Sequence, residues 1–315
     1  MIETINPTDK QHWLECRTKD ITSTEIAGLF GFSPYTTEFE IWHTKKAGTI
    51  VEIAGNERMK WGTALQDAIA AEIAKEQGWI IRRMDEYMRD TDLRAGASFD
   101  FSIEQTGIGT NEGTLTLGLL EIKNVDSLAF RDGWTEDDAG NIEAPLHIEI
   151  QVQHQLMVSG RAYAYLGALV GGNRLVLIKR DRNEAVINSI KQKIQAFWAS
   201  IESNTPPKPN FERDAKFISS LYNYADPGKL LDVRENEDFM NMAREHKRLG
   251  DIAKDAETKR EALKAQMIMV IGDAEKIEGG EFSISAGIIG ECEVAYTRKA
   301  YRNFKPTWRK PKGEK

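Results

Sequence analysis

Cysteine is almost absent from this chain. Cys16 and Cys292 are the only two in 315 residues, far apart and in no Cys-x-x-Cys spacing. Neither a disulfide scaffold nor a thiolate zinc site can be built from them. Long apolar runs are also missing. No stretch of 18 apolar residues occurs, so no transmembrane helix is expected. The N-terminal stretch MIETINPTDKQHW has neither a basic start nor an apolar segment behind it, which predicts a protein that is not secreted and stays in the cytoplasm. An excess of positive charge is lacking as well. With 42 Lys and Arg against 49 Asp and Glu, the formal net charge is −7. That argues against a protein that coats nucleic acid indiscriminately. It leaves room for an enzyme that gathers carboxylates at a metal site and confines its basic residues to one groove. No internal repeat and no low-complexity tract is present.

What is present is an ordinary globular composition, 41% hydrophobic and 29% charged, at a length that supports one large domain or two modest ones. Residues 8–48 read as helical and polar, broken at GFSPYTT. Within them ITSTEIAGLF reads as a capped helix start, with Thr22 or Ser23 accepting from free backbone N–H groups. GTALQDAIAAEIAKEQG (62–78) is an amphipathic helix with Leu65, Ile69 and Ile73 on one stripe and Gly78 as its C-cap. WIIRRM, LRAGASFDFSIEQ and LTLGLLEIKNV read as three strands of a β-meander, the last two joined by TGIGTNEGT. A helix is expected over 145–160, strands at YAYLGALVGG and RLVLIKRD, and a helix over 183–203. This order predicts an α/β fold with a mixed central sheet flanked by helices.

NTPPKPN, with three prolines in four positions, sets a boundary: residues 1–210 as one domain and 211–315 as a C-terminal extension. In the extension, Phe239, Met242, Leu249, Ile252, Ala256, Leu263, Met267 and Val270 recur at helical spacing. They predict one long helix, or a helical hairpin broken near Gly250, closed by Gly279-Gly280. EFSISAGIIGECEVAYT is expected to form a small β-hairpin. The last eighteen positions hold eight Lys or Arg and one acid. The aromatic residues of AYRNFKPTW suit either base stacking or a solvated tail.

The chemistry concentrates at LLEIKN. Glu121 and Lys123 are two apart in a strand, so both project from one face. An edge ion pair is one reading. Asp100, about twenty residues upstream in ASFDFSIE, supports another. Hard carboxylate oxygens hold Mg²⁺, the metal polarises a phosphate and acidifies its water, and a lysine beside it offsets charge that grows in the transition state. Asp100, Glu121 and Lys123 on adjacent strands, with the Ile122 carbonyl as a further ligand, fit phosphodiester hydrolysis.

The order of motifs resembles the lambda-exonuclease/YqaJ-like viral recombinase branch of the PD-(D/E)xK nucleases, over residues 10–205. WLECRTKDITSTE is similar to the opening helix motif of that family, WGTALQDA to its W-G-x-x-x-E helix, SFD to its S-P-D and LEIKN to its E-x-K. QVQHQLMVSG is similar to its Q-V-Q helix and LVLIKRD to its final strand. The resemblance implies a PD-(D/E)xK restriction-endonuclease-like core with a C-terminal helical and small β extension. It implies Asp100 and Glu121 as metal ligands, Lys123 as catalytic lysine and Gln151 at the active site. Arg17, Thr24 and Ser98 fall on positions that grip a 5′-phosphate. The family's helix carboxylate falls on Gln66 here, which puts the charge of a second metal site in doubt.

The implied activity is a Mg²⁺-dependent 5′→3′ exonuclease on double-stranded DNA ends, using two ions, with Mn²⁺ as a substitute. Its implied partners are a single-strand annealing protein and further copies of itself in a ring, as a trimer. A DNA-binding scaffold of the same fold that no longer cuts, and a structure-selective endonuclease, remain open. Simpler roles stand beside these. Arg17 can pair with Glu15 or Asp20, Thr24 and Ser98 can be ordinary caps or strand hydroxyls, and His154 reads as packed rather than catalytic.

Overall fold

Apolar alternation, helix caps and glycine stops account for most of the element boundaries. The computed structural model describes residues 1–50, 55–106, 115–138, 140–297 and 301–308. The chain divides into two units, Met1–Ile218 and Ser219–Lys315. The first opens with β1 (Ile2–Ile5), α1 (Lys10–Thr18), β2 (Ile21–Thr22), α2 (Ile26–Leu29), α3 (Glu38–Ala47) and α4 (Glu57–Gln77). The strands β3 (Ile80–Arg83), β4 (Tyr87–Asp90), β5 (Ala95–Ser98), β6 (Phe101–Thr106) and β7 (Leu115–Val125) follow. Then come α5 (Ser127–Gly133), β8 (Thr135–Glu136), β9 (Ile142–Glu143), α6 (Leu146–Ser159), β10 (Tyr163–Val170), β11 (Arg174–Asp181), α7 (Glu184–Glu202) and α8 (Phe211–Leu221).

The central sheet has the order β11-β10-β7-β6-β3. β7 lies in its middle, antiparallel to β6 and parallel to β10, so the sheet is mixed as the sequence predicts. Successive side chains of β7 point to opposite faces. Leu120 and Ile122 pack with Ile69, Ala70 and Ile73 of α4. Leu119, on the other face, joins Ile150, Val152 and Leu156 of α6 and Ile187, Ile190 and Ile194 of α7. Glu121 and Lys123 therefore belong to the α6 face. Ile73 is fully buried, a burial that stabilises by about 1.5–3 kcal/mol. Gly167 makes its close approach possible, since a Cβ there would lie 2.5 Å from Ile73 Cδ1. α4 is started by Asn56, whose side chain accepts from Met59 N, and stopped by Gly78 at φ 67°.

Some sequence expectations need correction. The strand read through LRAGASFDFSIEQ breaks at Phe99-Asp100 into β5 and β6. β5 joins a separate sheet, β1-β4-β5-β2, which sequence reasoning did not anticipate. ITSTEIAGLF makes only the one-turn helix α2. Its Glu25 carboxylate accepts from Thr22 N (2.9 Å) and Thr22 Oγ1 (2.8 Å), so Thr22 donates where it was expected to accept. The segment TGIGTNEGT lies, beyond Thr106, outside the described residues.

In the second unit α9 (Glu237–Ile271) continues through Gly250 without a break and stops at Gly272 (φ 56°) rather than at Gly279-Gly280. Gly279-Gly280 instead turn a hairpin between β12 (Lys276–Glu278) and β13 (Ser283–Ser285). The hairpin thus begins upstream of its expected place: Glu278 pairs with Ser283, and a Cβ on Gly279 would lie 2.8 Å from the Phe282 ring that closes the loop. In the first unit, α8 is anchored at its start. Asp214 is buried near its start and accepts from Thr37 Oγ1 (2.6 Å) and Asn210 N (2.6 Å). Of the basic tail, residues 298–300 and 309–315 lie outside the described residues. Among the described residues no helix is long and apolar enough to cross a membrane.

Candidate active site

Asp100 lies in the break between β5 and β6, not within a strand. β6 pairs with β7 only as far as Phe101 opposite Leu120. One step on, the Asp100 carboxylate takes the place of the missing strand, with Ile122 N donating to Oδ2 at 2.8 Å. The N–H and C=O of an extended residue point to the same strand edge, so the Ile122 carbonyl also faces the Asp100 side. The Gln66 side chain of α4 acts on the same carboxylate and favours its charged form. The strand break and the site are thus one feature.

Glu121 is 6% exposed. Its Oε1 accepts from Lys123 Nζ (2.7 Å) and from Gln151 Nε2 (2.7 Å), and its Oε2 from Gln155 Nε2 (2.8 Å). A buried carboxylate without donors costs several kcal/mol; here three donors converge on it. Lys123 also donates to Gln151 Oε1 at 3.3 Å. Burial pushes the Lys123 ammonium toward deprotonation, but the charge and hydrogen bond of Glu121 outweigh it and hold its pKa above the ordinary value. Lys123 is a cation here. Asp100 behaves oppositely. Burial, reinforced by the negative charge of Glu121, raises its pKa to about 7 against the pull of Ile122 N, Lys123 and Gln66.

These groups fit a hard divalent cation. Two carboxylates, a main-chain carbonyl and an amide oxygen are the donors that Mg²⁺ or Mn²⁺ prefers. The crowding that raises Asp100 marks a site short of positive charge. Among the described residues no group of three or more His, Cys, Asp or Glu converges, so the acidic donors are Asp100 and Glu121 alone. Asp67 is turned away from them and pairs with Arg83.

Arg17, Thr24 and Ser98 form a second cluster. Arg17 Nη2 donates to Thr24 Oγ1 at 3.0 Å, and its guanidinium lies 4.5 Å from the Trp13 ring. Trp13 Nε1 in turn donates to Ser98 Oγ at 2.9 Å. Asp20, one simpler partner for Arg17, is taken by Arg89 (2.7 Å) and Tyr87 (3.1 Å). Gln155 ties the two clusters together, since its Nε2 donates to both Ser98 O (3.2 Å) and Glu121 Oε2. Sequence reasoning missed Gln155 and Trp13. The four-residue spacing of Gln151 and Gln155, which puts both on one helix face, was the available signal for Gln155. Gln153 instead serves the scaffold, donating to Asp181 O (2.9 Å) and accepting from Asn183 N (2.9 Å).

Residues 12–162 match the family model of the YqaJ-like viral recombinase domain. The uncharacterized protein YqaJ of Bacillus subtilis (strain 168) is 24% identical over 231 residues, covering 71% of this chain and 67% of that protein. Among solved structures, an alkaline exonuclease from Laribacter hongkongensis is 20% identical, with a TM-score of 0.46 over 66% of this chain and 100% of that one. A phage-related exonuclease from Haemophilus somnus 129PT is 10% identical, with a TM-score of 0.37 over 58% of this chain and 94% of that one.

Proposed function

Because residues 12–162 match the family model of the YqaJ-like viral recombinase domain, we propose that this protein is a metal-dependent nuclease. Its substrate is linear double-stranded DNA, one strand of which it degrades 5′→3′ to mononucleotides, leaving a 3′ overhang. The observation that carries this reading is the convergence of Asp100, Glu121 and Lys123 at one end of β7.

Asp100, Glu121 and the Ile122 carbonyl would hold Mg²⁺, which supplies charge at the phosphate and a more acidic water. Lys123, fixed by Glu121 and Gln151, places its ammonium where negative charge grows on the phosphoryl oxygens. Gln151 keeps the Glu121 carboxylate in register, and Gln155 holds it from the other oxygen. Arg17, with Thr24 and Ser98, receives a terminal 5′-phosphate through a charge-assisted contact that suits a guanidinium. A grip on the end of the strand makes cleavage exonucleolytic. The product calls for a single-strand annealing protein as partner. A ring of copies with a basic channel reconciles the net charge of −7 with DNA binding.

The test is digestion of linear duplex DNA, 5′-phosphorylated against 5′-hydroxyl, in Mg²⁺, with a closed circular duplex alongside. Wild type releases mononucleotides from the phosphorylated ends and spares the circle; Lys123→Ala digests neither substrate. DNA binding without digestion by the wild type refutes the nuclease in favour of a binding scaffold. Cutting of the circle refutes the end-dependent reading.

A further inference from the structure

We propose that Tyr35 and His147 form an aromatic lip on which the nucleobase adjoining the cleaved phosphodiester stacks; the inference rests on the nuclease reading above. The loop between α2 and α3 is tightly fastened. Ser33 N donates to Ala27 O (3.1 Å), and Ser33 Oγ accepts from Tyr35 N (3.1 Å) and Thr36 N (3.2 Å). Arg213 holds the Ser33 carbonyl, and Thr36 Oγ1 donates to Glu40 Oε2 (3.0 Å). Pro34 fixes one more backbone angle. All this order presents a ring that folding does not use. Tyr35 is 84% exposed, and among the described residues its one ring–ring contact is with His147, edge to face at 6.0 Å.

The position of that pair gives the ring its purpose. His147 is in the first turn of α6, one turn before Gln151 on the same face. Gln151 touches both Glu121 and Lys123. Tyr35 and His147 both lie within electrostatic reach of the Lys123 ammonium. A strand whose phosphate reaches Lys123 thus carries its neighbouring base past the two rings. Every base has a π-face, so a stacking lip accepts any sequence. It suits an enzyme that holds its substrate by phosphate and ring rather than by base edges. Tyr35 is on this argument a positioning residue.

The test uses the full-length protein and a duplex with 2-aminopurine as the 5′-terminal base, bound in Ca²⁺ so that fluorescence is read without cleavage. Wild type and Tyr35→Phe quench the probe; Tyr35→Ala does not. In Mg²⁺, Tyr35→Ala raises KM for DNA roughly tenfold with little change in kcat, a size set by stacking energies. On a duplex with an abasic terminal nucleotide, wild type and Tyr35→Ala have the same KM. A wild type that cuts DNA while Tyr35→Ala matches it in quenching and KM overturns the lip and leaves the nuclease standing. A wild type that neither binds nor cuts DNA overturns both.

Discussion

His154 is the group whose pH response follows most directly from its surroundings. Its side chain is completely buried on α6. Among the described residues neither ring nitrogen has a partner in hydrogen-bond geometry. Burial lowers its pKa from 6.5 to about 4, and the nearby Ile21 main chain and Glu25 charge offset only part of that. The sign follows from the two states. The folded chain keeps the imidazole neutral down to about pH 4, while the unfolded chain takes up a proton below about 6.5. Stability is intact above pH 6.5 and erodes as the pH falls toward 4. Linkage gives a loss of about 2–3 kcal/mol at pH 4.5 from this residue alone. His154→Leu forfeits no hydrogen bond and removes the titration. Urea unfolding followed through the buried Trp42, Trp134 and Trp198, at pH 7.5, 6.5, 5.5 and 4.5, measures the difference between the two proteins. The difference should change by less than about half a kcal/mol between pH 7.5 and 6.5, then shift in favour of the variant by about 2–3 kcal/mol at pH 4.5. Other acid-sensitive groups are common to both proteins and cancel. Curves that stay parallel across the whole range refute the argument.

Three further outcomes are expected. Gln155→Leu strips a donor from Glu121 Oε2 and from Ser98 O, and should cost about 2–3 kcal/mol in urea unfolding at pH 7; a loss under 0.5 kcal/mol would show that water replaces the amide. Gln66→Glu brings a third carboxylate to Asp100, so it should destabilise the protein in EDTA by on the order of 1 kcal/mol. Mg²⁺ should then raise its Tm more than that of the wild type, and equal Mg²⁺ shifts in the two proteins would count against the cation site. Gly167→Val drives a side chain into Ile73 and Ile122 and should cost about 1–3 kcal/mol by overpacking; an unchanged Tm would mean that α4 has room to lift off the sheet.

The parts of the fold that were legible are those whose pattern is local. β7 coincides with LTLGLLEIKNV because its central residues alternate between two covered faces, Leu119 toward α6 and Leu120 and Ile122 toward α4. α7 follows its isoleucine stripe, with Asn183 accepting from Ala185 N and Val186 N as its cap. What failed depends on distant partners. IETI is too short to signal a strand, and it becomes β1 only because Tyr87–Asp90 pairs with it from the far side of the domain. ASFDFSIE alternates without interruption. Nothing local says that the strand must break at Asp100, because the cause is the Ile122 N–H waiting across the gap.

The candidate site divides along the same line. A period of two was enough to put Glu121 and Lys123 on one face, and their 2.7 Å contact follows from it. The reason a buried carboxylate is tolerated there lies on α6. From residue 150 to 158 every position of that helix is buried, and four of them are polar. A buried polar side chain must have a partner or cost stability. Gln151 answers to Glu121, Gln153 to the start of α7, and Gln155 to Ser98 and Glu121. QVQHQ is therefore a bracing segment, in which alternate glutamines hold the site on one side and the last strand and helix on the other. The glutamines were visible in the sequence; that the helix is surrounded was not. Once burial is known, each of them must find a partner within the core, and the partners found for Gln151 and Gln155 place the strength of the site in α6 as much as in β7.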